Sequence, residues 1–310
     1  MSDLTTFIGR VQIRNPLILA AGILGSTFST LNRAYQEGFG AVVTKSVGRH
    51  PRDGHPNPSV VYIPETDSIL NAVGLANPGC IEFGKELVKI HSDVKLIVSI
   101  FGSTAEDISS VIQCIENNIG NSKSVAFELN LSCPHVQKVG MLVGTDPKLV
   151  YDIVNQAKSI TKTAIWIKLT PNVKDITIIG EAAIDAGADA LVAINTLKAM
   201  LINVEARKPI LANLRGGLSG RAIKPIGIRA IYDLYEKFGP KVPLIGVGGI
   251  WTWEDIVEYF LAGACSVQIG SVLSQYSSPQ FIISELLTGL QKYLVQEGLS
   301  LHELRGLAHE

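Results

Sequence analysis

Cysteine is scarce. Cys80, Cys114, Cys133 and Cys265 are spread over 310 residues and no two of them form a CxxC pair, which argues against a zinc or iron-sulfur site built from this chain alone. Three of them read as buried small hydrophobes. Excess charge is missing too: 27 Lys and Arg stand against 28 Asp and Glu, a formal net charge of -1, so no global positive field draws in nucleic acid or anionic lipid. No uninterrupted apolar run approaches the roughly 20 residues that span a bilayer. The opening MSDLTTFIGRVQIRNP lacks the charged-then-apolar order of a secretory signal. A cytoplasmic protein is the expectation. Aromatics are few, with 9 Phe, 8 Tyr and 3 Trp beside 29 Gly, a balance that suits the tight loops and aliphatic strands of an α/β chain better than an aromatic-rich sandwich.

What the chain does have is repetition. Short apolar, largely β-branched runs recur at 16–20, 41–45, 96–100, 126–130, 165–169, 191–195, 243–247 and 266–270. Helical patterns fall between or after them at about 26–37, 78–92, 104–117, 146–160, 175–186, 225–238, 252–262 and 278–297. Strands apolar on both faces, each followed by a helix, describe a parallel sheet covered by helices, and eight such units are the count of a (β/α)8 TIM barrel. An open doubly wound sheet would carry GxGxxG after its first strand; here the first strand runs into Ala21-Gly22-Ile23-Leu24-Gly25-Ser26. The connections 46–77 and 196–224 are longer than a usual βα loop, and the second contains an apparent hairpin, NVEARKPIL. The expected organisation is one domain over residues 1–310, with elaborated loops at the C-terminal face.

That face is where a barrel keeps its chemistry. The strands end in Lys45-Ser46, near Ser99, in Asn130 followed by Leu131-Ser132-Cys133-Pro134-His135, in Lys168, in Asn195-Thr196, and in the glycine-bearing turns Gly248-Gly249 and Gly270-Ser271. No carboxylate stands at the ends of strands four to eight, so neither a paired-carboxylate glycosidase nor a divalent-metal site is favoured. Glycines after strands seven and eight suit a phosphate held by backbone N–H groups, although tight βα turns use glycine without any ligand. Two lysines converging on one mouth require an anion, and a cofactor that gains negative charge on reduction satisfies at least one of them. Asn71, Asn130 and Asn195 offer amides that both donate and accept, which matches a cyclic ureide or imide; their bland role is to cap turns. Cys133 follows a strand end in a polar segment, where a thiol can act as a general base. A nucleophilic pair with His135 is the other chemistry that segment allows.

The segments NPLILAAG, VVTKSV, NAVGLANPG, ELNLSCPH, IKLTPN, INT, GGLSG, GVGGI and VQIGS resemble, in order from about residue 4 to 290, those of the class 1 dihydroorotate dehydrogenases, especially the FMN-binding catalytic subunits of the 1B subgroup. The resemblance implies an FMN enzyme that oxidises dihydroorotate to orotate in de novo pyrimidine (UMP) synthesis. By motif, Cys133 is the base that takes the C5 proton. Lys45, Asn71, Ala72, Val73, Gly74, Leu75, Asn130, Asn195 and Thr196 surround the pyrimidine. Ala21, Gly22, Lys45, Ser46, Ser99, Asn130, Lys168, Ile194, Gly220, Gly248, Gly249, Gly270 and Ser271 surround FMN, with Lys168 at the reduced ring and the last four at the phosphate. No metal is implied. The 1B enzymes pass electrons to NAD through a partner subunit carrying FAD and a [2Fe-2S] cluster, and a chain without cluster ligands of its own fits that route or another external acceptor; a homodimer or a heterotetramer is expected, with no nucleic acid and no membrane.

The chain departs from the family pattern at His135, where Asn is usual, at Ser99, which replaces an Asn near the flavin, and at Arg221, which replaces a Pro after GGLSG. NLSCPH also occurs in the flavin domain of dihydropyrimidine dehydrogenases, which act on uracil and thymine, and that activity is the alternative. A non-catalytic flavin-binding protein is the alternative of a different class.

Overall fold

The computed structural model describes residues 3–120, 124–131, 143–276 and 278–310. Eight parallel strands close into a barrel: β1 (Leu17–Leu19), β2 (Ala41–Val43), β3 (Leu96–Ile100), β4 (Ser124–Asn130), β5 (Ala164–Leu169), β6 (Ala190–Ala193), β7 (Leu244–Val247) and β8 (Ser266–Ile269). Each pairs with its sequence neighbours, and β8 closes on β1 with Val267 opposite Leu17. Nearly every strand residue is buried, which is why these segments are apolar throughout instead of alternating. The order of elements is the one read from the sequence, with strand and helix limits differing by a few residues at most.

Helices α1 (Phe28–Gln36), α2 (Cys80–Leu87), α3 (Ala105–Ile119), α4 (Pro147–Ile160), α5 (Ile176–Asp185), α6 (Lys224–Phe238), α7 (Trp253–Leu261) and α8 (Pro279–Glu297) cover the outside, and a short α9 (Leu301–Leu304) follows. Their starts are encoded locally. Thr27, Thr104, Asp146, Asp175 and Ser278 each accept a hydrogen bond from a first-turn amide, and Thr252 with Asp255 forms a capping box. Such caps contribute about 1 kcal/mol each.

Two apolar layers result. One lies between strands and helices, including Leu19, Val42, Val98, Phe127, Ile167, Leu191 and Leu244. The other fills the barrel, where Ile18, Val43, Ile97, Ala126, Trp166, Val192 and Ile245 meet. A hairpin, Thr6–Ile8 with Val11–Ile13, sets Ile8, Val11 and Ile13 against that inner layer, and Thr6 Oγ1 donates to the Cys265 carbonyl at 2.9 Å. It therefore closes the N-terminal end of the barrel, leaving the C-terminal end for ligands.

At the C-terminal end the two long connections combine. Val60–Ile63, Ser68–Asn71, Gly216–Gly220 and Leu197–Ala199 form one antiparallel sheet, an arrangement that reading either loop alone does not reveal. The hairpin expected in NVEARKPIL is present, with Ile202–Asn203 paired to Lys208–Pro209. Of the three cysteines among the described residues, Cys80 and Cys265 are buried as expected, whereas Cys114, towards the end of α3, is only half-buried. Burial, and then the Cys80 thiol beside it, push the Cys114 thiol up to about 12.

Candidate active site

Side chains alternate along a strand, so the residues that face the barrel axis near the C-terminal end are set by register. Ser99 on β3 is paired with Glu128 on β4, Asn130 with Lys168 on β5, and Lys168 with Val192 on β6. From these positions a chain of polar contacts crosses the mouth. Ser46 and Ser99 hydroxyls lie 2.8 Å apart, Asn130 Nδ2 donates to Ser46 Oγ at 3.1 Å, and Asn195 Nδ2 donates to Asn130 Oδ1 at 3.0 Å. Asn195 Oδ1 in turn accepts from the Thr196 amide at 2.8 Å. Five of the expected site residues are thus directly linked, and Ser99, despite being the shorter replacement, is part of the chain.

Lys45 extends β2 into this rim. Its backbone N–H donates to the Gly25 carbonyl at 2.8 Å, an approach so close that a Cβ on Gly25 would sit 2.5 Å from that nitrogen. Burial holds its ammonium below the ordinary lysine range, and no acidic neighbour among the described residues counteracts this.

Lys168 is different. Its Nζ donates to Gln268 Oε1 at 3.0 Å and lies 3.5 Å from Glu128 Oε1, while Gln268 Nε2 donates to Glu128 Oε2. Glu128 is 0% exposed, Gln268 1% and Lys168 9%. No carboxylate stands at the ends of strands four to eight, as expected, but one lies just inside: Glu128 is two positions before Asn130, on the same inward face. Counting back by two from Asn130 would have found it.

Asn71 ends its strand in the upper sheet and donates to the Gly217 carbonyl at 3.2 Å. Gly217 itself abuts Thr196, where a Cβ would fall 2.1 Å from Oγ1, so Asn71 reaches the rim through that glycine. Ala72–Leu75 follow, tied instead to the 55–59 segment: the Ala72 amide donates to Ser59 O at 2.8 Å and the His55 amide to Val73 O at 3.1 Å. Gly74 and Leu75 both have positive φ, 74° and 57°. Leucine seldom adopts that conformation, and here Asn77 Nδ2 holds the Leu75 carbonyl at 2.8 Å. Asn77 Oδ1 also accepts from the Gly48 and Gly79 amides. Asn77 and Asn172, which donates to Thr196 O at 3.0 Å, are framing residues that the sequence reading passed over.

The glycine ends are also framed. Gly248 and Gly249 have φ of 128° and 69°, and a Cβ on Gly249 would meet the Lys224 backbone at 2.8 Å. Tyr259 OH donates to Gly248 O at 2.8 Å, with its ring against Gly246 and its hydroxyl against Gly227. Asp255 receives the Trp251 and Thr252 amides and the Lys224 ammonium at 2.6–2.9 Å. Gly270 and Ser271 lie beside this turn because β7 and β8 are paired in register, Val247 opposite Gln268. A cavity of about 250 Å³ adjoins them, lined in part by Ile23, Leu24, Ile69, Gly270, Ser271 and Tyr276. Ala21 and Gly22 follow β1, Ile194 and Asn195 follow β6 across a cis Ala193–Ile194 bond, and Gly220 ends the strand that pairs with Ser68–Asn71. Arg221 lies 3.4 Å from Asp67 Oδ2 on this upper sheet. Cys133 and His135 lie outside the described residues.

Comparison with known proteins identifies the family. A family model described as dihydroorotate dehydrogenase matches residues 3–294. The chain is 46% identical over 307 residues to the dihydroorotate dehydrogenase B (NAD(+)) catalytic subunit of Methanocella arvoryzae, covering 99% of this chain and 98% of that one. It is 45% identical to the subunit of the same name from Methanocaldococcus jannaschii, with 99% and 98% covered, and 46% identical to that of Pyrococcus furiosus, with 97% of each covered. No helix among the described residues is long and apolar enough to cross a membrane. The chain belongs to the dihydroorotate dehydrogenase family, in its class 1B, and is an enzyme that oxidises dihydroorotate.

Proposed function

We propose that the oxidation runs through FMN held in one barrel domain spanning residues 1–310, and that the electrons leave to NAD through a partner subunit bearing FAD and a [2Fe-2S] cluster, in the cytoplasm. The observation that carries the flavin reading is the pair of lysines at one mouth. Lys45 has no counter-charge of its own among the described residues, while Lys168 is fixed beneath the same rim. A partly desolvated ammonium is unfavourable unless an anion joins it.

The residues fit FMN on the structure's own terms. Gly248 and Gly249 adopt backbone conformations that favour glycine, next to Gly270 and Ser271, and such turns leave amides free for a phosphate. Ser46, Ser99, Asn130, Lys168, Ala21, Gly22, Ile194 and Gly220 supply the surroundings for the ring. FMN held there would supply a two-electron acceptor for the hydride leaving C6 of dihydroorotate. The chain does the rest. Asn71, Asn130, Asn195 and Thr196 meet the alternating N–H and C=O groups of the pyrimidine, with the Ala72–Leu75 backbone beside it, and Lys45 meets the substrate's carboxylate or the flavin. Cys133 takes the C5 proton as general base.

Purified protein should be yellow and should bleach anaerobically with dihydroorotate. Bleaching by dihydrouracil instead would replace this reading with the dihydropyrimidine one. A colourless chain that cannot be reconstituted with FMN would remove flavin chemistry altogether. Reoxidation by NAD only in the presence of a co-purified second subunit would support the partner, and equal reoxidation without it would refute that part.

A further inference from the structure

The proposed reaction uses Lys168 but gives no task to the carboxylate beside it. Glu128 is fully buried inside the barrel, paired in register with Trp166, in surroundings that are otherwise mostly apolar. Stability does not explain it, because replacing a buried ion pair by packed apolar residues is commonly neutral or favourable. The geometry instead ties it to Lys168 twice: Oε1 lies 3.5 Å from Nζ, and Oε2 accepts from Gln268 Nε2 while Gln268 Oε1 accepts from Nζ at 3.0 Å. Gln268 therefore acts as a spacer that hydrogen-bonds both charges at once. Oε1 accepts no hydrogen bond among the described residues, so its main electrostatic partner is the lysine. Lone ammonium charge projected through a low-dielectric barrel reaches far; a carboxylate just below it turns that monopole into a shorter-range dipole.

We propose that Glu128 is a positioning residue that fixes Lys168 through Gln268 and attenuates its charge, so that this buried carboxylate helps set the reduction potential of the flavin. The proposal rests on the FMN reading above, and its test separates the two.

In holoenzyme, Glu128→Gln leaves the lysine charge uncompensated and favours reduced flavin, which carries more negative charge. The ratio of reduced to oxidised flavin at a fixed ambient potential should rise at least tenfold, a positive shift of about 30 mV for a two-electron couple. Lys168→Met should shift it in the opposite direction. Glu128→Asp keeps the charge and should stay near the wild type, which a purely space-filling role would not predict. An unchanged potential in Glu128→Gln, or an equal shift in Glu128→Asp, would overturn the proposal.

Denaturant unfolding of the full chain supplies a readout that does not need flavin. Glu128→Gln and Lys168→Met should each raise the unfolding equilibrium constant at least 100-fold, and the double variant by far less than the product of the two. Additive losses would overturn the pairing. If Glu128→Gln alone yields no folded protein, the double variant should still fold, because both charges leave together; a double variant as unstable as the single would overturn the pairing as well. Failure of the wild type to bind FMN would defeat the functional reading, while the unfolding cycle would still decide the pair.

Discussion

Two lysines serve the same barrel mouth in opposite ways. Lys168 arrives with its charge already answered, by Glu128 at 3.5 Å and Gln268 at 3.0 Å. Lys45 sits partly buried with burial alone acting on it. The difference teaches that the two cations of this site are of two kinds: an interior one answered within the protein, and a rim one whose desolvation nothing among the described residues offsets. The first kind tunes and the second binds.

The largest expected effect belongs to a group on neither side of that contrast. Cys133→Ala should slow flavin reduction by dihydroorotate about 10²- to 10⁴-fold, the range for losing a general base, with the FMN content unchanged; stopped-flow absorbance and the flavin-to-protein ratio decide it. Loss of FMN with an unchanged rate per flavin would contradict the role.

Next come the lysines themselves. Lys168→Met strands Glu128 in the interior and should cost about 3–5 kcal/mol in denaturant unfolding. Lys45→Met strands nothing and should stay within about 0.5 kcal/mol of the wild type or exceed it, while weakening orotate binding. Equal losses at the two positions would erase the distinction.

A pH series sharpens it further. The folded Lys45 value lies below the ordinary lysine value of 10.5, so between the two the unfolded chain binds more protons and stability rises with pH. The penalty is fully present below the lowered value and is relieved as pH climbs towards the ordinary one. Wild type should therefore gain stability relative to Lys45→Met across that alkaline window, as melting temperatures would show. A constant difference would deny that the ammonium is desolvated.

The smallest effect is at the glycine turn. Tyr259→Phe removes the hydrogen bond to Gly248 O and should cost about 1 kcal/mol, with a modest loss of FMN affinity measured by fluorescence titration.

Most of the barrel was legible in the sequence because parallel strands buried on both faces leave continuous apolar runs, and the cap residues mark where helices begin. Lys45, Asn130, Lys168 and Asn195 were legible because a strand end is a place that can be read locally. Glu128 was less legible because it lies inside β4 and not at its end, although the alternation that places Asn130 inward places Glu128 inward too. The upper sheet was missed for another reason: Ser68–Asn71 pairs with Gly216–Gly220, and no local pattern announces a partner so far along the chain. Asn77 and Asn172 work through backbone contacts, which leave no spacing to recognise. The segment holding Cys133 is outside the described residues, and its role rests on the resemblance.

The packing around Tyr259 bears on which sequences this fold can accept. One phenol occupies the space that a methyl group would need at both Gly227 and Gly246, and neither of those glycines has a positive φ. Their lack of a side chain is imposed by a neighbour and not by the backbone, so the three positions should exchange volume as a set. A smaller residue at 259 would make alanine admissible at 227 and 246, whereas alanine at either position beside the intact tyrosine would push the ring off the Gly248 carbonyl.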